Sequence, residues 1–394
     1  MVRGTAKLPD GEELKGTELI YRELGQIIGL DGPRKDLTPD PEDTKTYPIR
    51  SRFVVDIISG TSAGGINGVA LAKALALKCR DLSVLKNTWL EEAQLDRLLN
   101  DKKFDWQYPA GSKTNSLLNS ERMYGKILET LLAMNDPTKC IADAADFADN
   151  LDLFVTATDL AGLETRIQLT GHTIKERVHR AVFHFEYPPV CPENEKSENQ
   201  FDREHDPMLA FAARCTSSFP AAFEPVRFDH IKNQVEKHEL NVEETRNRLK
   251  DFFPAYGSDF SRRQFADGGY LDNRPFSYVS DLIQYRSATR PTKRKLLFVD
   301  PFPELQGRDS DVEREISFVE NALLAAVSLP RYEVIRGDIQ TIITYNRRLE
   351  RLNALKKRVE EDRGALKRDS TTLPESPKNF SELDLKAMVV GWRA

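Results

Sequence analysis

The 394-residue chain has few cysteines: Cys79, Cys140, Cys191 and Cys215 lie far apart and form no C-x-x-C pair. That excludes a disulfide framework and a cysteine-bound zinc, and makes a reducing, cytoplasmic setting the default expectation. Long apolar runs are also missing. None approaches the length of a membrane span, and residues 1–30 lack the apolar core of a signal peptide. Any membrane contact is therefore expected to be peripheral. No charge sign dominates, since 57 basic residues face 62 acidic ones for a net charge of −5. Such balance argues against a dedicated nucleic-acid binder. There is no internal repeat, no G-x-G-x-x-G and no G-K-[ST], so the nucleotide-binding fingerprints fail. The acidic stretch LDGPRKDLTPDPEDTKTYP lacks EF-hand spacing and reads as a solvated loop. No metal and no cofactor is expected.

What the chain does have is organised around residues 53–76, FVVDIISGTSAGGINGVALAKALA. Phe53, Val54, Val55, Ile57 and Ile58 form an apolar, β-branched run that predicts a strand buried on both faces. The turn Gly60-Thr61-Ser62-Ala63-Gly64-Gly65 follows, and then a helix with Ile66, Val69, Ala70, Lys73 and Ala74 on one face. Strand, tight turn and helix are the context in which G-x-S-x-G forms a nucleophile elbow. A serine on such a turn leaves little room two positions away, which explains glycine at 60 and 64. The helix aims its positive end at Ser62, and the Ala63 N–H is a candidate oxyanion donor. Two rival readings are an anion cradle and a glycine turn kept only for close packing.

Along the rest of the chain, a helix is expected near residues 17–28, then two amphipathic helices over KNTWLEEAQLDRLLN and SERMYGKILETLLAMND, the second capped by Asn119 or Ser120. LDLFVTATDL reads as a strand, and ETRIQLT with HRAVFHFEY as two more in a hairpin. DPMLAFAARCTSSFPAAFEPVRF predicts a small-residue helix ending near Ser217. Insertions are expected near 186–206 and 230–262, the second charged and helical in part, as mobile cover over the site. Leu296, Leu297, Phe298 and Val299 predict a further buried strand. Strands separated by helices indicate an α/β fold with a mostly parallel sheet covered on both faces. Beyond it, Ile342, Tyr345, Leu349, Leu352, Leu355 and Val359 place an apolar stripe on a basic helix. The stripe fits docking onto the domain, with binding to anionic lipid the lesser option.

An acyl-transfer serine needs a group to take its proton. The six histidines, His172, His179, His184, His205, His230 and His238, all follow Ser62, and any of them could in principle serve. More telling is Asp267-Gly268-Gly269, after which no histidine occurs. Two glycines beside a carboxylate allow a sharp turn that brings the acid within reach of another loop. An ordinary Asp-Gly turn before a strand accounts for the same residues. Asp272 is a second candidate acid without the glycine pair.

GTSAGG after an apolar strand, with DGG some two hundred residues later, resembles the patatin-like phospholipase family. LDLFVTATDL and AARCTSSFPAAFEPV are similar to that family's middle strand and active-site helix. The resemblance, closest to the long bacterial and fungal type, covers roughly residues 50–300. It implies a three-layer α/β/α fold over 51–303, preceded by a helix and loop (1–50) and followed by a helical extension (304–394). It also implies a Ser–Asp dyad acting on fatty-acyl esters of glycerolipids, with Ser62 as nucleophile and Asp267 as general base. The family places a glycine-rich oxyanion loop before its elbow. Here Gly4, Gly11, Gly16, Gly25, Gly29 and Gly32 are isolated and no buried strand precedes Phe53. The expectation is a chain that starts after that loop, and the alternative function is a catalytically silent module with a binding or scaffolding role.

Overall fold

The computed structural model describes residues 19–20, 54–79, 83–92, 98–99, 116–139, 150–187, 199–220, 222–286, 292–300, 317 and 335–369. The chain forms two units, Met1–Glu333 and Val334–Ala394. In the first, β1 (Ile57–Gly60) leads into α1 (Ala63–Ala76), followed by α2 (Ser83–Asn87), a π-helical turn (Thr88–Glu92) and α3 (Ser120–Ala133). The strands β2 (Leu151–Leu169) and β3 (His172–Tyr187) come next, then α4 (Asp206–Thr216), α5 (Lys232–Lys237), α6 (Val242–Asp251), β4 (Phe265–Asp267) and α7 (Phe276–Ile283). The second unit contains α8 (Arg336–Asp369).

β2 is the axis of the sheet. β3 pairs antiparallel along one edge, from Leu151↔Tyr187 to Leu169↔His172. On the other edge β1 runs parallel, ending with Gly60 opposite Val155. β4 continues that same edge antiparallel, with Asp267 opposite Ala157. The elbow and the Asp267 turn thus meet over Thr156, the residue between the two pairings. Alternation sends Leu153, Val155 and Ala157 to one face, where α1 and α4 pack, and Phe154 to the other, stacked on Tyr278 of α7 at 5.5 Å. The three-layer α/β/α fold expected from the sequence is present, on a sheet with parallel and antiparallel pairs among the described residues.

Local chemistry explains the helices. The Asn119 side chain accepts the Arg122 N–H at 2.8 Å and starts α3. Every residue of α4 is buried, and the small Ala210, Ala212 and Ala213 let it run through the core. Lys73 of α1 is buried as well, where its Nζ meets Asp206 Oδ1 at 2.5 Å and the Phe201 carbonyl at 2.9 Å. Phe265 of β4 packs among Phe183, Phe211 and Phe253 with ring centroids 5.7–6.0 Å apart, which anchors the strand that carries Asp267.

Several expectations are corrected. LDLFVTATDL and ETRIQLT are one strand, β2, irregular between Thr158 and Leu163. β1 starts only at Ile57, and Val54 and Val55 are exposed, because the run lies at the edge of the described sheet. KNTWLEEAQLDRLLN does not form one regular helix, since α2 ends at Asn87 in the π-helical turn. Residues 230–262 are helical in part as expected, but they belong to the core through Ile231, Val235, Leu249 and Phe260 rather than standing over the site as a cover. Leu296–Val299 forms no strand, and Leu297 is 87% exposed. Of the helix expected at 17–28, only Leu19 and Ile20 are described. Residues 188–198 and the glycines from Gly4 to Gly32 also lie outside the described residues.

Candidate active site

Ser62 sits between the end of β1 and the start of α1 with φ 55° and ψ −125°. A left-handed φ at a non-glycine residue costs about 1–3 kcal/mol, so neighbouring contacts must hold it. Gly60 supplies the space, since a Cβ there would lie 2.3 Å from the Gly64 carbonyl oxygen. Gly65 supplies more, because its Cβ would lie 2.5 Å from Thr216 Cγ2. Gly64 does not carry the steric role expected of it: a Cβ there meets nothing within 4 Å. The Ser62 N–H donates to Thr216 Oγ1 at 2.8 Å. Thr61 closes the other side, with its Oγ1 2.6 Å from Thr156 Oγ1 and donating to the Asp272 carbonyl at 2.8 Å.

The Ser62 hydroxyl donates to Asp267 Oδ2 at 3.0 Å. Asp267 is buried and its two oxygens have divided tasks: Oδ1 accepts the Gly269 N–H at 2.7 Å, leaving Oδ2 to face the serine. Its carbonyl takes the Thr158 hydroxyl at 2.9 Å, and its N–H reaches the Ser218 carbonyl at 3.3 Å. The glycines serve proximity rather than an unusual backbone angle, since neither has positive φ. A Cβ on Gly268 would lie 2.3 Å from Thr156 Oγ1. One on Gly269 would lie 3.0 Å from both Asn273 Oδ1 and Asp267 Oδ1. Asp272, the second candidate acid, contributes its backbone carbonyl to Thr61 and Thr156.

Charge near the site is set by burial. Arg214 of α4 is fully buried, donating to Ser218 Oγ at 2.9 Å and Ser120 Oγ at 2.6 Å, and lies 4.3 Å from the Phe223 ring centroid. Burial brings its guanidinium down to about 10, so it remains a cation at neutral pH. Burial and the Asp267 carboxylate together push the Tyr270 phenol up. The Ser62 side is open: the residue is partly exposed, and Ala63 and Gly64 are exposed.

None of the six histidines is a hydrogen-bond partner of Ser62. His179 meets the Asp159 carbonyl at 2.8 Å, His184 meets Asp152 at 2.6 Å and His205 meets Asp202 at 2.7 Å. Among the described residues, Asp152, His184 and Glu186 form one cluster with the donor types to hold a metal. Arg286 occupies the remaining oxygen of Asp152, so the cluster reads as an ion-pair network. Thr216, Thr156, Thr158 and Ser218 were not legible as site residues. Only the small-residue stretch AARCTSSF signalled that this segment approaches the serine.

Among the described residues no helix is long and apolar enough to cross a membrane. The chain is 31% identical over 337 residues to an uncharacterized membrane protein, Rv3479, of Mycobacterium tuberculosis (strain ATCC 25618 / H37Rv). That match takes in 82% of this chain and 28% of the mycobacterial protein's length. No solved structure matches this chain. The pattern described as patatin-like phospholipase matches residues 48–280, more than half of the chain and both halves of the Ser62–Asp267 pair. The chain belongs to the patatin-like phospholipase family.

Proposed function

We propose that this protein is a serine acyl hydrolase that cleaves fatty-acyl esters of glycerolipids through a Ser62–Asp267 dyad. The observation that carries the reading is the 3.0 Å hydrogen bond from the Ser62 hydroxyl to Asp267 Oδ2. Asp267 takes the hydroxyl proton as Oγ attacks the ester carbonyl, and passes it to the departing alcohol. The acyl group is left on Ser62 Oγ until water, activated by the same carboxylate, releases the fatty acid. Charge on the carbonyl oxygen develops at the amino end of α1, where the Ala63 N–H and the helix dipole favour it. Lipid is reached at a surface, by peripheral contact. No nucleic acid, metal or cofactor takes part in this reading.

Ester hydrolysis by Ser62→Ala and Asp267→Asn variants tests it. The first is expected to lose turnover and the second to fall by roughly a hundred- to ten-thousand-fold, with unchanged circular dichroism. Retained activity in Asp267→Asn, with loss in a histidine variant instead, would refute the dyad.

A further inference from the structure

α8 is a 34-residue helix in a unit of its own, and apolar residues recur along it at steps of three and four. Assigning Ile342 to the first core position of a seven-residue repeat places Tyr345, Leu349, Leu352, Lys356 and Val359 at the following core positions. The alternating steps of three and four average 3.5 residues, the spacing of a left-handed coiled coil. In the sequence the register extends outward through the charged Asp338 and Arg363 to Ile335 and Leu366. Ile342 is half-buried and the rest of the stripe is open: Tyr345 is 39% exposed, Leu349 42%, Leu352 59% and Val359 64%. Leu355, read with the stripe in the sequence, flanks this seam beside Lys356, and Ile339 and Ile343 are exposed off it. Away from it lie exposed Arg347, Arg351, Lys357, Arg358 and Glu361, and Lys357 pairs with Glu361 at 3.8 Å along the helix. A stripe of this period, with a mostly charged back, fits another helix of the same pitch.

We propose that α8 pairs with α8 of a second copy of this chain as an antiparallel coiled coil. The direction follows from the charged core positions, Lys356 within the stripe and Asp338 and Arg363 beyond it. In a parallel, in-register pair, Lys356 would face Lys356 of the partner subunit, a like-charge contact inside the seam. Running antiparallel about a point between Glu350 and Arg351, each core residue faces another of complementary kind. Ile342 then lies level with Val359, Leu349 with Leu352, and Tyr345 with Lys356. The Lys356 stem covers the tyrosine ring while its ammonium reaches toward Glu360, which it already approaches at 3.9 Å. In the sequence the same register sets Asp338 opposite Arg363 and Ile335 opposite Leu366. From Ile342 to Val359 the apolar seam is about 26 Å long. The self-complementary layers favour a second copy over an unrelated helix or a lipid surface, neither of which would require lysine opposite tyrosine.

The test uses the full chain. Sedimentation or light scattering is expected to give twice the chain mass, and a monomer at all accessible concentrations would overturn the proposal. Leu349→Asp with Leu352→Asp is expected to weaken the dimer more than a hundredfold. A dimer that survives this change would place the interface elsewhere. Lys356→Leu is expected to tighten association, a gain that misfolding cannot mimic, and a weaker dimer would refute the register. Direction is read by oxidative cross-linking against the parent chain as background. Ile342→Cys and Val359→Cys chains are expected to cross-link when mixed and not separately. Self-cross-linking of the Ile342→Cys chain alone would mean a parallel pair and overturn the antiparallel assignment.

Discussion

Thr216 Oγ1 accepts the backbone N–H of Ser62 at 2.8 Å, while Thr216 Cγ2 stands against Gly65. One side chain on α4 thus holds the left-handed turn of the serine by a hydrogen bond and by contact. Thr216→Val keeps the shape and removes the acceptor, leaving the Ser62 N–H without its partner. Such a loss costs about 1–3 kcal/mol. We expect a matching fall in unfolding free energy by urea titration, and a fall in kcat larger than any change in KM. Thr216→Ser keeps the acceptor without the methyl contact and should restore most of both, and a fully active Thr216→Val would show that the turn holds itself.

The glycines of the two motifs should separate cleanly by substitution to alanine. Gly60→Ala and Gly268→Ala place a Cβ 2.3 Å from the Gly64 carbonyl and from Thr156 Oγ1 respectively. In the first case the obstacle is backbone, which cannot step aside without moving α1. Both variants should melt well below the parent. Gly64→Ala meets nothing, lies inside α1, and should melt at or above the parent temperature, because alanine favours helix over glycine by about 1 kcal/mol. Equal melting of all three would contradict the packing described.

The buried pair Lys73–Asp206 makes a stability prediction with a sign. Asn135 completes the pair, its Oδ1 accepting from Lys73 at 3.0 Å and its Nδ2 donating to Asp206 at 2.7 Å. Removing one charge strands the other, so Lys73→Met alone should cost about 3–5 kcal/mol. The double change Lys73→Met with Asp206→Leu should recover most of that. Burial raises the Asp206 carboxyl from 3.8 to about 6. The folded state therefore holds this proton more tightly than the unfolded chain. Its contribution to stability is full below about pH 4 and is lost as pH rises through 6. Subtracting the Asp206→Asn stability profile from the parent profile should show that decline across pH 4–6. A difference that rises with pH would mean the carboxyl is instead stabilised as an anion.

How much of this was legible depends on whether the signal was local. The elbow was, because strand, glycine turn and helix follow one another over 24 residues of sequence. The Asp267 turn was half legible: its glycines mark a tight place, but only the pairing of β4 with β2 brings it to the serine. Thr156 and Thr216 carry no local mark, since their roles come from strand register and from α4 crossing the core. Residues 230–262 misled because Val235, Leu249 and Phe260 are scattered singly among charges. Leu296–Val299 misled in the opposite sense, for apolar composition predicts a strand while pairing decides one. The Gly64 reading was reasonable for a tight turn, but here its backbone, rather than an added side chain, is the close neighbour.

The last prediction concerns the acyl chain of the ester. Asn67 Nδ2 donates to the Ala63 carbonyl at 2.9 Å, and Asn67 Oδ1 accepts the Trp89 indole N–H at 3.1 Å. The indole is therefore tied to the exposed side of α1, one turn beyond the residue that follows the serine. Leu71 on that same helix and Leu90, which follows Trp89 in the chain, are 39% and 59% exposed. An acyl chain leaving a carbonyl held at Ser62 would find apolar surface there. Trp89→Ala should lower kcat/KM for long-chain p-nitrophenyl esters by about tenfold, which corresponds to losing contact with about two methylenes at ~0.8 kcal/mol each. Acetyl and butyryl esters, too short to reach the indole, should be hydrolysed at nearly the parent rate. Trp89→Phe keeps an aromatic surface without the N–H, so it should recover part of the long-chain preference and separate contact from tethering. A uniform loss across all chain lengths would mean that Trp89 supports the elbow through Asn67 and does not touch substrate.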